Sequence, residues 1–227
     1  MPTLAPIVAA IERRGLAARG AFALADADRE TGLEGISAIV LVGAAGARGW
    51  KAFADSPEAR DGRPDPLDRW SRRVVGSLGE ALGARALYPF GGPPHWPFQR
   101  WAMRAEAVHV SPLGLLIHPD YGLWHSYRGA LGFAERIAIP AVAPRASPCE
   151  TCALRPCLRA CPVGAFAADG YDVAACGAHL REEEGCACMD GGCLARRACP
   201  IGRTHVYGEG RMRFHMRAFL RARPVAG

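Results

Sequence analysis

Nine cysteines lie between Cys149 and Cys199, and the 148 residues before them contain none. In "SPCETCALRPCLRACPVGAF" (Ser147 to Phe166), four of these thiols sit within thirteen residues and close on Cys161-Pro162. Near residue 200, "CLARRACPIG" repeats that ending with Cys199-Pro200. Thiols this dense must either bridge one another or bind metal. A secreted disulfide framework normally has an even count and follows a signal peptide. Here the count is odd, and "MPTLAPIVAAIERRGL" has no basic n-region and is interrupted by Glu12, Arg13 and Arg14. That opening segment reads as a helix, the chain as a cytoplasmic protein, and the cysteines as metal ligands. No apolar run approaches the ~18 residues of a membrane span.

The spacing narrows the metal. Cys149-x2-Cys152-x4-Cys157-x3-Cys161-Pro follows the bacterial two-cluster ferredoxin run, with four residues in the middle gap where that run has two. In such a run three thiolates grip one four-iron cube and the fourth reaches the other cluster. Cys-x-x-Cys turns also build zinc sites, but zinc has no need of a closing Cys-Pro in both halves. With the closing cysteines exchanged, Cys149, Cys152, Cys157 and Cys199 hold one cluster. Cys161, Cys176 and Cys193 hold the other, with either Cys186 or Cys188. Two [4Fe–4S] clusters imply electron transfer, and with it a redox partner protein.

The rest of the chain reads as an α/β domain with a central sheet. Leu4, Ile7, Val8 and Ile11 mark one face of a first helix, and "ARGAFALA" and "ISAIVLVG" read as strands around the turn "DADRETG". Pro57, Pro64 and Pro66 mark a surface loop. Leu67–Gly83 is an amphipathic helix with Trp70, Val74, Leu78 and Leu82 on one stripe and Gly83 as its stop. "ARALYPF" and "LGLLIHP" read as further strands, and "GALGFAERIAIP" leads into the linker "AVAPRAS". The expected organisation is an α/β domain over 1–140, serving docking or a cofactor, a ferredoxin-like module over 141–205, and a basic helix over 206–227. Gly43, Gly46 and Gly49 match neither dinucleotide nor P-loop spacing.

The net charge of +6 is uneven: residues 206–227 carry five arginines against Glu209 alone. "GRMRFHMRAFLRARP" predicts a helix bracketed by Gly210 and Pro224. It docks through Met212, Met216, Phe219 and Leu220 and leaves Arg213, Arg217 and Arg221 exposed. Such a stripe suits an acidic partner or nucleic acid. Trp96, Phe98 and Trp101, beside the "GGPP" loop, either line a pocket or wedge the loop onto the core. His118 and His125 read as structural residues, and His179 and His205 lie near the clusters in sequence.

These residues together resemble the epoxyqueuosine reductase family of iron–sulfur, cobalamin-dependent enzymes, and also small two-cluster ferredoxin-like proteins. The similar features are a first run ending in Cys161-Pro, a lone Cys176 after "YDVAA", and a closing run ending in Cys199-Pro. The segment "SPLGLLIHPDYGLWHSYRGAL" before them is similar too. The resemblance spans roughly Ile36 to Gly202 and is dense from Ser111 onward. It implies Cys188 rather than Cys186 as a ligand, in keeping with the nearness of Cys188 to Cys193. It also implies an alternative function: a reductase in which the clusters feed electrons to a cobalamin or other cofactor, with tRNA as a partner. The family's catalytic acid lies in an Asp-containing segment. The matching stretch here, "YPFGGPPHWPFQRWAMRAEAVHV", has no Asp, and Glu106 is its only carboxylate. No catalytic or cobalamin-binding residue is therefore assigned.

Overall fold

The computed structural model describes residues 1–25, 32–167 and 170–223. Most of the expected "DADRETG" turn, and Pro224, fall outside them. Helix α1 (Leu4–Arg13) leads into β1 (Ala17–Ala23) and β2 (Ala38–Ala45). Two short helices, α2 (Trp50–Ala54) and α3 (Pro57–Arg60), precede α4 (Pro66–Leu82) and β3 (Arg85–Leu87). Then come α5 (Phe98–Ala105), β4 (His109–Val110), β5 (Leu116–Ile117) and the long β6 (His125–Phe133). The cysteine-rich part carries α6 (Pro156–Arg159), β7 (Phe166–Ala167), β8 (Gly170–Tyr171), α7 (Val173–His179), α8 (Cys186–Gly191), α9 (Leu194–Arg197) and α10 (Glu209–Arg221). Two compact units result: Met1–Ala107 with His125–Pro144, and Val108–Trp124 with Arg145–Gly227.

The first unit is mixed α/β around an antiparallel sheet in the order β1-β2-β6-β3. Strand β2, "AIVLVGAA", is buried along nearly its whole length, which is why its sequence is apolar without alternation. Strand β6 pairs on both sides although two of its positions are glycine. A Cβ at Gly129 would meet a Val75 methyl of α4 at 3.0 Å, and one at Gly132 would meet Ile36 at 2.7 Å. Glycine is what lets α4 and Ile36 press on the middle of the sheet. Helix α4 buries Trp70, Val74, Val75 and Leu78 and ends on Gly83 at φ 63°. Pro57 and Pro66, expected in a loop, instead open α3 and α4, where proline's missing N–H costs nothing. Strands β3 and β5 are shorter than the apolar runs suggest.

Phe98 and Trp101 of α5 are buried, and Trp101 packs against Phe22 of β1 with ring centroids 6.2 Å apart. Trp96 stacks on Trp101 at 5.8 Å, so this aromatic group wedges onto the core. Strand β1 carries an irregularity between Ala18 and Ala21. There Gly20 takes φ +75°, and a Cβ would fall 2.1 Å from the Ala105 carbonyl. The same kink turns Arg19 inward to Glu106.

The second unit has little sheet and a core of Leu113, Ile117, Leu123, Ala195 and Cys199, against which several other cysteines pack. Gly122 (φ +57°) and Gly202 (φ +72°) bring two backbones together. A Cβ on Gly122 would stand 2.1 Å from the Ile201 carbonyl oxygen, and one on Gly202 2.3 Å from that of Tyr121. Helix α10 packs on α8, and Met212 lies so close to Gly192 that a Cβ there would sit 2.8 Å from its sulfur. Of the expected docking stripe Met212 is buried, while Met216, Phe219 and Leu220 are half-buried. The expected basic stripe is reduced. Arg213 is half-buried and bonds Asp190 at 2.9 Å, leaving Arg217 and Arg221 exposed.

Candidate metal centre

Several of the cysteines are placed by local backbone devices. The Ser147 hydroxyl accepts the Cys149 N–H at 3.3 Å, within a turn closed by Glu150 N–H on the Ser147 carbonyl. Arg155 takes the left-handed conformation at φ 39° and Pro156 follows at the start of α6. The chain therefore reverses between Cys152 and Cys157, which is the work of the two extra residues in the middle gap. Cys161 receives the Ala165 N–H on its sulfur at 3.3 Å. Cys193 caps α9.

All nine cysteines are free thiols. Cys149 lies within electrostatic reach of Cys199, Cys157 and Cys152, and Cys199 of Cys157 and Cys152. Cys188 lies near Cys161 and Cys176, and Cys193 near Cys188 and Cys176. Of these, Cys149, Cys152, Cys157 and Cys199 line one recess of the second unit. Cys188 is buried, whereas Cys186, two residues earlier on α8, is exposed.

Burial is the main influence on five of these thiols, pushing Cys149, Cys157, Cys188, Cys193 and Cys199 above the ordinary cysteine value. Backbone groups pull the other way. Ile201 bonds Cys199, Leu158 bonds Cys157, Leu194 bonds Cys188, and both Ala195 and Arg196 bond Cys193. Amide N–H groups aimed at sulfur stabilise thiolate, the form that binds metal. The recess around Cys149, Cys152, Cys157 and Cys199 is small, with a cavity volume of about 20 Å³. Its walls are the four cysteines, prolines and isoleucines, with Arg155 the only charged residue. Among the described residues, no three His, Cys, Asp or Glu side chains are arranged to hold a metal ion.

Two features around the thiols, at Tyr171 and Arg196, were not read from sequence. Tyr171 bonds the Cys176 side chain through its hydroxyl, and its ring stacks on Phe166 at 4.6 Å. The pairing of Phe166 with Tyr171 across the β7–β8 hairpin sets up that stack. Arg196 donates to the Leu123 carbonyl and lies over the rings of Trp124 and Tyr207. His118 Nδ1 accepts the N–H groups of Asp120 and Tyr121, a turn-closing role in keeping with its structural reading. In the first unit, Glu106 accepts from Arg19 at 2.7 Å and from the Tyr127 hydroxyl at 3.0 Å. Burial raises the Glu106 pKa, and Arg19 and Tyr127 oppose the rise.

Several solved structures similar to this chain are epoxyqueuosine reductases. A selenomethionine-labelled epoxyqueuosine reductase superposes with a TM-score of 0.55 at 12% identity, covering 92% of this chain and 68% of the other. The chain has the fold of the epoxyqueuosine reductases. The enzyme from Streptococcus thermophilus gives 0.56 at 15% identity, over 89% of this chain and 67% of its own. A third, an epoxyqueuosine reductase with a tRNA-Tyr epoxyqueuosine-modified stem loop, gives 0.53 at 15%, over 90% and 66%. No family model matches the sequence, and no curated protein matches it. Among the described residues, no helix is long and apolar enough to cross a membrane.

Proposed function

We propose that the second unit holds two [4Fe–4S] clusters and that the protein passes single electrons through them. The first cluster would sit on Cys149, Cys152, Cys157 and Cys199, the second on Cys161, Cys176, Cys188 and Cys193. The observation that carries this reading is that Cys199, from the closing run, lines one recess with Cys149, Cys152 and Cys157 of the first run. Interleaving of this kind is expected where two clusters share their ligand loops. The donor chemistry fits as well, with four thiols per set, amide donors on sulfur, and a largely apolar recess around the first. Each bound cluster supplies a one-electron couple. The chain's own part is to fix the thiolates, donate hydrogen bonds to them and limit water.

A second reading makes the protein a reductase whose clusters feed electrons to another cofactor. The observation in its favour is that likeness to the reductases covers about nine-tenths of the chain, the first unit included. The cofactor would be a corrinoid, as the family resemblance implies, and the partner tRNA, which one of those structures holds as a stem loop. Anaerobic purification with metal analysis tests both readings. Two clusters predict about eight irons and eight sulfides per chain, and stoichiometric zinc without iron would overturn the first reading. Cobalt, with visible bands beyond those of iron–sulfur clusters, would establish the second.

A further inference from the structure

Leu154 stands 71% exposed at the tip of the loop between Cys152 and Cys157. A large aliphatic side chain held this far into water contributes nothing to its own fold. It is flanked by Arg155 and Arg159, both exposed and, among the described residues, paired with no carboxylate. Arg155 also forms part of the wall of the recess around the first four cysteines, and its charge acts on Cys157. Arg203, exposed on the turn after Cys199, acts on Cys199 in the same way. The two runs that carry this set, Ser147–Phe166 and Cys193–His205, hold Arg155, Arg159, Arg196, Arg197 and Arg203 against a single carboxylate, Glu150. Arg196 is committed to the Leu123 carbonyl, which leaves four arginines against that one acid.

We propose that the loop Thr151–Arg159 is the docking face for a small acidic one-electron carrier protein, with Leu154 as its apolar centre. Electrons then enter through the first cluster. The inference rests on the two-cluster reading and adds to it the partner and the point of entry. Electron transfer falls off steeply with distance, so the carrier must sit where the surface comes closest to the thiolates, and Cys152 and Cys157 are the two ends of this loop. An apolar tip ringed by arginines matches a carrier whose own redox centre is ringed by carboxylates. Opposite charge would steer the encounter and raise the association rate at low salt. In the transfer the reduced carrier loses one electron and the first cluster gains it, with no bond made or broken.

The test uses the reconstituted protein and a reduced acidic [2Fe–2S] ferredoxin, mixed anaerobically by stopped flow. Arg155→Gln with Arg159→Gln is expected to lower the second-order reduction rate about tenfold at low ionic strength. The difference should vanish at high salt, and Leu154→Glu should also slow the reaction. Photoreduced deazaflavin, a small uncharged-ring reductant, should reduce wild type, Arg159→Gln and Leu154→Glu alike. Iron analysis of the same samples separates the two levels of inference. Iron-free wild type would overturn the cluster reading and this proposal with it. Iron-replete variants that react with ferredoxin at the wild-type rate would overturn this proposal alone. Variants that lose affinity for an RNA hairpin but keep their ferredoxin rate would mark the face as a nucleic-acid contact and likewise overturn it.

Discussion

Removing the carboxylate of Glu106 should destabilise the first unit more than removing its partner Arg19, because only one of the two groups can give up its charge. The Arg19 side chain is 1% exposed and that of Glu106 13%, with 2.7 Å between donor and acceptor. Charge centres about 4 Å apart attract by about 4 kcal/mol at an effective dielectric near 20. In Glu106→Leu the guanidinium stays buried and charged, since arginine does not deprotonate in proteins. The expected loss is about 3–5 kcal/mol, a large part of the ~5–15 kcal/mol that holds a typical domain. In Arg19→Met, Glu106 can take up a proton, and the cost should be smaller. Burial already raises the Glu106 pKa against the pull of Arg19; without Arg19 it rises further. Between the ordinary glutamate range and that raised value, the folded variant binds a proton that the unfolded chain does not. Its stability therefore increases as pH falls through that window and decreases as pH rises through it. The double variant should lose less than the sum of the single losses, by a coupling of about 2 kcal/mol. Urea unfolding followed by tryptophan fluorescence suits the measurement, since Trp50, Trp70, Trp96 and Trp101 all lie in this unit and only Trp124 in the other. A loss under about 1 kcal/mol for Glu106→Leu, or strictly additive single losses, would refute the argument.

Three further outcomes concern the cysteine-rich unit. Gly202→Val forces a side chain into the Tyr121 backbone three residues after Cys199, so it should lose about half of the iron, the share of the first cluster; full iron content would count against the placement of Cys199. Tyr171→Phe removes the hydroxyl bonded to Cys176, and hydrogen bonds to cluster sulfurs raise the reduction potential. One of two potentials should therefore fall while the other stays put, as read by an EPR-monitored redox titration; equal shifts in both would count against the ligand sets. Cys186→Ser should keep full iron while Cys188→Ser loses part of it, because Cys186 is exposed and Cys188 is buried near Cys161 and Cys176. The reverse pattern would exchange the two assignments.

What the sequence made legible divides along physical lines. Helix α4 was readable because its stripe of Trp70, Val74 and Leu78 recurs at helical spacing and ends on Gly83, whose φ of 63° a stop of that kind requires. Strand β2 was readable because its apolar run is strand-length. Strand β6, which pairs on both sides in the same sheet, was not. Its "GALGF" carries glycine where neighbouring elements press closest, and glycine is the residue that strand signals exclude. Close packing of the tertiary structure removed the local evidence for the strand. The proposed cysteine sets rest on another kind of signal. Pairing by exchange is a topological inference from two Cys-Pro endings, and it needs no secondary structure at all. The residues that tune the thiols remained invisible for a different reason. Tyr171 reaches Cys176 only because the β7–β8 hairpin stacks it on Phe166, and Arg155 faces Cys157 only through a left-handed turn. Neither a tyrosine nor an arginine in a loop announces such a role by its spacing.

The fate of the C-terminal arginines shows how charge read along a sequence changes meaning in three dimensions. Five arginines in the last twenty-two residues look like one basic element. In the fold they divide by what each of them meets. Arg211 is buried with its guanidinium 3.4 Å from the centre of the Tyr207 ring, Arg213 bonds Asp190, and Arg223 lies over Phe219 at 4.0 Å. Cation–π contacts of this kind gain from exclusion of water, so these arginines serve packing as much as charge. Arg217 and Arg221 are left as the exposed pair on the helix, fewer cations than surround the first cysteine set. A partner drawn by positive charge and needing short distance to a cluster would meet both conditions at the Cys152–Cys157 loop, where Arg155 is at once a surface charge and part of the wall around the thiols. On α10, the exposed cations and the cysteine ligands belong to separate stretches of chain, and charge alone gives the helix no comparable claim.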